Sequence, residues 1–457
     1  MSKRNFILLI IILGLGAIAA LGFWYFRPGT IAPEDAGTGT NFVSQFKPFG
    51  DSKPVPGATT PATGESDYQP NPVETGVKMQ LTKVSSMPVA GFVVFSKERL
   101  KEVAISPPLG GGGEGSVTPN PTLTLPKGKG TKPTPPPTEF APALRYVEKK
   151  TGNIYQTFAD KIEERKFSVT VIPKVYEAYF GNHGQSVIMR YLKANGKTIE
   201  TFVGTLPKEL LGGDTTENNE VKGVFLPDNI QDISISPDTT KIFYLWSSGG
   251  SLGDNMIGIT LNLLNNKKTQ LFDSPLTEWL SVWGNNNMIT LSTKPFSSAP
   301  GYMYSMDGSG KNLTKILGGV NGLTTKGSPN GKLVLFSDSN LSLRVYHTDT
   351  RNSDTLSLRT LPEKCVWGKA SDAIYCAVPK SISSGAYPDS WYQGEVSFSD
   401  QFWKIDLKTG NATLIIDPMS VSGGEEVDGT KLALDESENY LFFVNKKDSF
   451  LWELDLK

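Results

Sequence analysis

Six times along the chain an extended apolar segment breaks at a small polar turn and resumes as a second apolar segment. The clearest copies are Asp232-Ile-Ser-Ile-Ser-Pro-Asp-Thr-Thr-Lys-Ile-Phe-Tyr-Leu245 and Thr324-Thr-Lys-Gly-Ser-Pro-Asn-Gly-Lys-Leu-Val-Leu-Phe336. The turns fall near His183, Asp238, Asn286, Asn330, Ser371 and Ser437, mostly 40 to 55 residues apart. Self-similarity at that period means a stacked or radial array, since one unit cannot bury its apolar face alone. Every element here reads as a strand, so the array is all-β. The period dictates the architecture and leaves the chemistry open.

A second pattern follows the first hairpin of each unit. An aromatic strand ends in an acidic or polar turn with Gly, and another strand begins, as in Tyr302-Met-Tyr-Ser-Met-Asp-Gly-Ser-Gly-Lys-Asn-Leu-Thr-Lys-Ile316 and Phe402-Trp-Lys-Ile-Asp-Leu-Lys-Thr-Gly-Asn-Ala-Thr-Leu-Ile415. Two hairpins make one four-stranded antiparallel blade, with strands A to D from inside to outside. The chain ends, from Leu441 to Lys457, on the third strand of a blade. Leu81-Thr-Lys-Val84 matches Leu313-Thr-Lys-Ile316, an outer strand. The N-terminal strand is therefore expected to complete the last blade and remove the ring's open edge. That closure gives a seven-bladed β-propeller, with six or eight blades as alternatives.

The pairing of Ser-Pro-Asp/Asn turns with Tyr-x-Met-Asp-Gly-Ser-Gly resembles the TolB-type, WD-like β-propellers of bacterial envelopes. The resemblance covers roughly Phe167 to Lys457 and implies the propeller fold and an envelope setting. Blade 6 and a long insertion depart from the compact repeat of that family, so its partners do not carry over.

Phe6 to Phe26 is an uncharged run of 21 residues. At 1.5 Å per residue it reaches about 30 Å, the thickness of a bilayer's hydrocarbon core. Lys3 and Arg4 precede it, which places residues 1–5 in the cytoplasm and the rest of the chain outside. The rival reading is a signal peptide cleaved after Ala17-Ile-Ala19, which would leave a greasy mature N-terminus at Leu21 to Phe26. Residues 27–76, rich in Pro, Gly and Thr, read as a flexible tether, and 77–457 as the propeller. Within it, 107–139 reads as a disordered loop insertion, assigned to the B–C connection of blade 1.

Lys and Arg total 45 against 46 Asp and Glu, a balance that excludes a nucleic-acid partner. The two cysteines, Cys365 and Cys376, face each other if Gly368 to Asp372 forms a turn, which permits a disulfide outside the cytoplasm. Two buried thiols are the alternative. No catalytic constellation, cofactor motif or metal-ligand spacing is present. Gly249-Gly-Ser-Leu-Gly253 fits the nucleophile-elbow pattern, but it joins two strand-like segments rather than a strand and a helix. His183 reads as a turn residue, and Trp279, Trp283 and Trp367 as blade packing.

All B–C loops of a propeller emerge on one face, and long loops on a rigid scaffold are where binding residues concentrate. Blades 3, 4 and 6 carry long ones, the longest being Ser381 to Asp400 of blade 6. Tyr387, Trp391 and Tyr392, with Phe296 and Tyr302 of blade 4, are the candidate binding residues. A plug folded over the channel is the competing use of the same aromatics. The expectation is a membrane-anchored extracytoplasmic scaffold for an envelope protein or cell-wall polymer. The alternative is a hydrolase or lyase with its site at the channel mouth.

Overall fold

A computed structural model describes residues 81–101, 136–211, 219–247, 255–285, 288–421 and 424–457. The apolar run at 6–26, the segment 27–76 and the Gly249–Gly253 motif lie outside them. Among the described residues, 28 strands form seven four-stranded antiparallel sheets, the blades of a β-propeller. The lone α-helix among them is the single turn Asp389–Tyr392, and no helix there is long and apolar enough to cross a membrane.

The inner hairpins form where the Ser-Pro-Asp/Asn turns predict them. Ser236 Oγ donates to Asp238 Oδ1 at 2.6 Å, and the Thr240 N–H donates to the same oxygen at 3.1 Å. In the matching turn of blade 5, Ser328 Oγ donates to Asn330 Oδ1 at 2.8 Å and Gly331 takes a positive φ of 71°. Side-chain oxygens thus satisfy turn amides that no ladder reaches. Each seam between neighbouring blades holds its own apolar cluster. Val147, Ile154 and Phe167 of blade 1 meet Val187 and Met189 of blade 2, for example, all nearly inaccessible to solvent. The three tryptophans pack into such seams, none more than 8% exposed.

The ring closes as the missing strand predicts. Leu81–Lys83 pairs with Leu451–Asp455 as the outer strand of blade 7, in the register Leu81↔Leu454, Thr82↔Glu453 and Lys83↔Trp452. Lys83 Nζ lies 4.7 and 4.8 Å from the ring centroids of Phe450 and Trp452 and pairs with Glu425 at 3.0 Å. The chain therefore enters and ends on the face where the A–B and C–D turns lie.

One expectation is corrected. The long insertion arises between strands A and B of blade 1, not between B and C. Strand A, Val89–Leu100, stays paired along strand B, Thr138–Glu148, to the end of both at Leu100↔Thr138. The insertion opens from the tip of that extended arm, on the same face as Leu81. The ladder already includes Thr138 and Glu139, which the sequence reading gave to the loop.

Cys365 and Cys376 oppose each other in register and are bridged by a disulfide. The turn beneath them forms as expected, the Gly368 N–H donating to Ala373 O at 2.8 Å.

Candidate functional site

The B–C loop of blade 6, residues 380–399, crosses the B–C face instead of standing away from it. Tyr387 and Trp391, each 4% exposed, and Phe398, 2% exposed, bury their rings together with Leu341 and Leu361 from blade 5. Tyr387 stacks on Phe398 with centroids 5.8 Å apart, and Trp391 stacks on Phe398 at 6.4 Å. The loop also reaches sideways. The Ser297 N–H of blade 4 donates to Asp389 Oδ2 at 3.0 Å, and Lys446 Nζ of blade 7 donates to Trp391 O at 2.7 Å. One loop thereby spans four blades.

Beneath it lies a buried ionic network. Lys364, in the 3-10 turn Pro362–Lys364 that leads into blade 6, has no exposed side-chain surface. Its Nζ donates to Asp400 Oδ2 at 2.7 Å, to Asp428 Oδ1, and to Gly429 O at 3.0 Å. Asp428 also accepts from Trp391 Nε1 at 3.0 Å, Ser397 Oγ at 3.1 Å and the Phe398 N–H at 3.1 Å. The ammonium stands 5.4 Å from the ring centroids of both Trp391 and Phe398. Burial pushes the Asp400 carboxyl up to about 6 against the pull of Lys364. Almost every donor and acceptor in this cluster is used, which locks the loop in one arrangement.

A smaller polar group borders the inner strands. Glu363 lies in the same 3-10 turn, which packs against the inner strands of blades 5 and 7. The Tyr392 hydroxyl donates to Glu363 Oε1, and burial raises the pKa of both groups. Lys326, on the inner strand of blade 5, donates to Cys365 O, and burial lowers it to about 8 with Glu363 opposing the shift.

Of the five aromatic candidates, Tyr387 and Trp391 are therefore buried parts of the plug. Tyr392 is 40% exposed with its hydroxyl turned inward, and Phe296 is 55% exposed. Their two loops are joined by the Ser297–Asp389 hydrogen bond. Tyr302 is half-buried, with Lys315 Nζ 5.9 Å from its ring centroid. His183 occupies a turn with φ 51°, and His347 Nε2 is 2.9 Å from Asp354 Oδ2 on the surface. Among the described residues no group of three or more His, Cys, Asp and Glu side chains is placed to hold a metal ion. Sequence reasoning missed Lys364, Asp400 and Asp428, which are separated by 36 and 64 positions and carry no shared motif.

No protein-family model matches this chain, and no curated protein matches it. Among solved structures it is similar to an oligogalacturonate lyase in complex with manganese, with 9% identity and a TM-score of 0.48 over 69% of this chain and 85% of that one. It is similar also to the oligogalacturonate lyase of Vibrio parahaemolyticus, with 8% identity and a TM-score of 0.48 over 69% of this chain and 86% of that one. The likeness is one of propeller architecture and carries nothing about chemistry.

Proposed function

We propose that this protein is a binding scaffold, held at the outer side of the cell membrane by its N-terminal apolar segment. It would present the B–C face of the propeller to an envelope protein or a cell-wall polymer. The observation that carries this reading is the locked blade 6 loop. A rigid loop loses little conformational freedom on binding, so exposed aromatic surface fixed upon it contributes fully to affinity. Tyr392 on this loop, and Phe296 on the blade 4 loop tied to it through Ser297 and Asp389, are that surface. The Cys365–Cys376 bridge supports an oxidising compartment, in line with an extracytoplasmic propeller.

The test is capture from a native envelope extract by the wild-type protein and by a Phe296→Ala/Tyr392→Ala variant. The variant is expected to stay folded, with a melting temperature lowered by no more than the lost Tyr392–Glu363 hydrogen bond accounts for, and to lose the captured species. Retention of the same species at the same yield would remove the B–C face from the proposal.

A second reading, an extracytoplasmic hydrolase or lyase, rests on Lys326. An amine that burial lowers to about 8, with Glu363 near it, has the character of a general base. Under that reading Lys326→Met abolishes turnover of a polymer substrate and leaves partner capture intact.

A further inference from the structure

On the opposite face, between blades 1 and 2, a cleft of about 530 Å³ is lined by Phe95, Lys97, Arg145, Leu206, Glu209 and Leu211, among others. Its floor is charged and buried. The Arg145 guanidinium lies 4.9 Å from the Phe95 ring centroid and 4.3 Å from that of Phe167. Arg145 Nε donates to Gln156 Oε1 at 2.8 Å, Nη1 to Gly184 O at 2.6 Å and Nη2 to Glu209 Oε2 at 2.9 Å. Glu209, its side chain 6% exposed, pairs also with Lys97 at 2.8 Å and with Arg165, and accepts from Gln156 Nε2 at 3.0 Å. Two buried cations, Lys97 and Arg145, thus share one carboxylate, and Arg165, 40% exposed, reaches it from outside the cleft. The rim adds Lys208 and Glu98, which are of opposite sign and leave the excess unchanged.

Burying unbalanced positive charge is unfavourable unless something negative completes it. Burial lowers Arg145 to about 10 and lowers Lys97 as well, the direction that such crowding produces. One part of the wall is apolar. Phe95 and the buried Leu206 stand beside Leu210 and Leu211, which are 47% and 55% exposed. We infer that this cleft is a second binding site, on the face opposite the blade 6 loop, for a carboxylate carrying an apolar substituent. Lys97, more accessible than Arg145, takes the anion with the Arg145 guanidinium beneath it, and Leu206, Leu210 and Leu211 take the substituent. Two sources share that chemistry: the C-terminus of a peptide ending in an apolar residue, and a small free aliphatic acid. The site goes beyond the scaffold reading and stands independently of it, because it shares no residue with the B–C face.

Isothermal titration calorimetry on the full-length protein tests this with three probes: acetyl-Ala-Ala-Leu as the free acid, the same peptide as its C-terminal amide, and 4-methylpentanoate. The free acid is expected to bind and the amide not to. Binding of 4-methylpentanoate as tight as that of the peptide supports the site and assigns it to small acids. Weaker binding supports the site and assigns it to a peptide terminus. Lys97→Gln is expected to weaken the acid about tenfold, the worth of one charge-assisted hydrogen bond. Glu209→Gln removes the competing carboxylate and is expected to tighten binding, the reverse of what a purely structural ion network gives. Absence of binding by both carboxylates, or an affinity unmoved by Lys97→Gln in a protein that melts normally, overturns the proposal.

Discussion

Replacing Glu453 with Gln should make the propeller more stable, although the change removes a charge from a charged protein. Glu453 lies on the third strand of blade 7, opposite Thr82 of the closing strand on one side and Phe442 on the other. It is 5% exposed, and its Oε2 carries no hydrogen bond. Burial raises its carboxyl from 4.5 to about 8, with Asp455, Asp160 and Asp435 adding to the rise and Lys457 opposing it. The folded protein therefore holds this proton more tightly than the unfolded chain does. The stabilisation is complete below the unfolded value near 4.5, fades as pH climbs, and is gone above the folded value near 8. At pH 7 the loss amounts to about 3 kcal/mol, from 1.36 kcal/mol per unit over the interval between the unfolded value and pH 7. Gln fits the same space and has nothing to ionise. Urea unfolding followed by tryptophan fluorescence at pH 5, 7 and 8.5 checks this. The variant should exceed the wild type by about 3 kcal/mol at pH 7, with the gap narrowing sharply at pH 5. Equal stability at pH 7, or a wild-type pH slope that persists in the variant, would refute the reasoning.

Lys364→Met leaves Asp400 and Asp428 buried without their ammonium and should destabilise the fold by about 3–5 kcal/mol in the same urea assay. A loss below 1 kcal/mol would show the network to be energetically neutral. Removing the disulfide with Cys365→Ala/Cys376→Ala should destabilise by about 3 kcal/mol for so short a loop, and dithiothreitol should lower the wild-type melting temperature to match. Deleting residues 77–85 strips the outer strand from blade 7 and should broaden the unfolding transition. A deletion variant that melts as sharply and as high as the wild type would mean that the ring does not depend on closure.

The parts of this fold that could be read in the sequence are those with local causes. Ser236 and Asp238 make their turn from atoms two residues apart. Cys365 and Cys376 follow from one hairpin register. The closing strand was legible because the last blade lacked a member and Leu81-Thr-Lys-Val84 had the outer-strand pattern. The insertion was misplaced because blade 1 has no Ser-Pro turn between its first two strands, so nothing marked Val89–Leu100 as strand A. The direction of the blade 6 aromatics was not legible. A loop has no period to fix which way a ring points, and Trp391 faces inward because Asp428, far along the chain, accepts from its indole nitrogen. The cationic cleft escaped for the same reason, its members coming from both blades 1 and 2 and from the connection at Glu209.

The closing strand also sets how the ring bears mechanical load. Tension applied to the chain ahead of Leu81 enters the propeller through Leu81–Lys83. A pull along the axis of that strand would shear its bonds to Leu451–Asp455 together rather than peel them one at a time, against the contact of Lys83 with Phe450 and Trp452. If they yield, the slack released runs only to Val89, where strand A of blade 1 begins. The other three strands of blade 7 are contiguous from Gly429 to Asp455 and remain joined. The ring would give way at one seam and re-latch when the tension fell, a fuse that protects the other six blades.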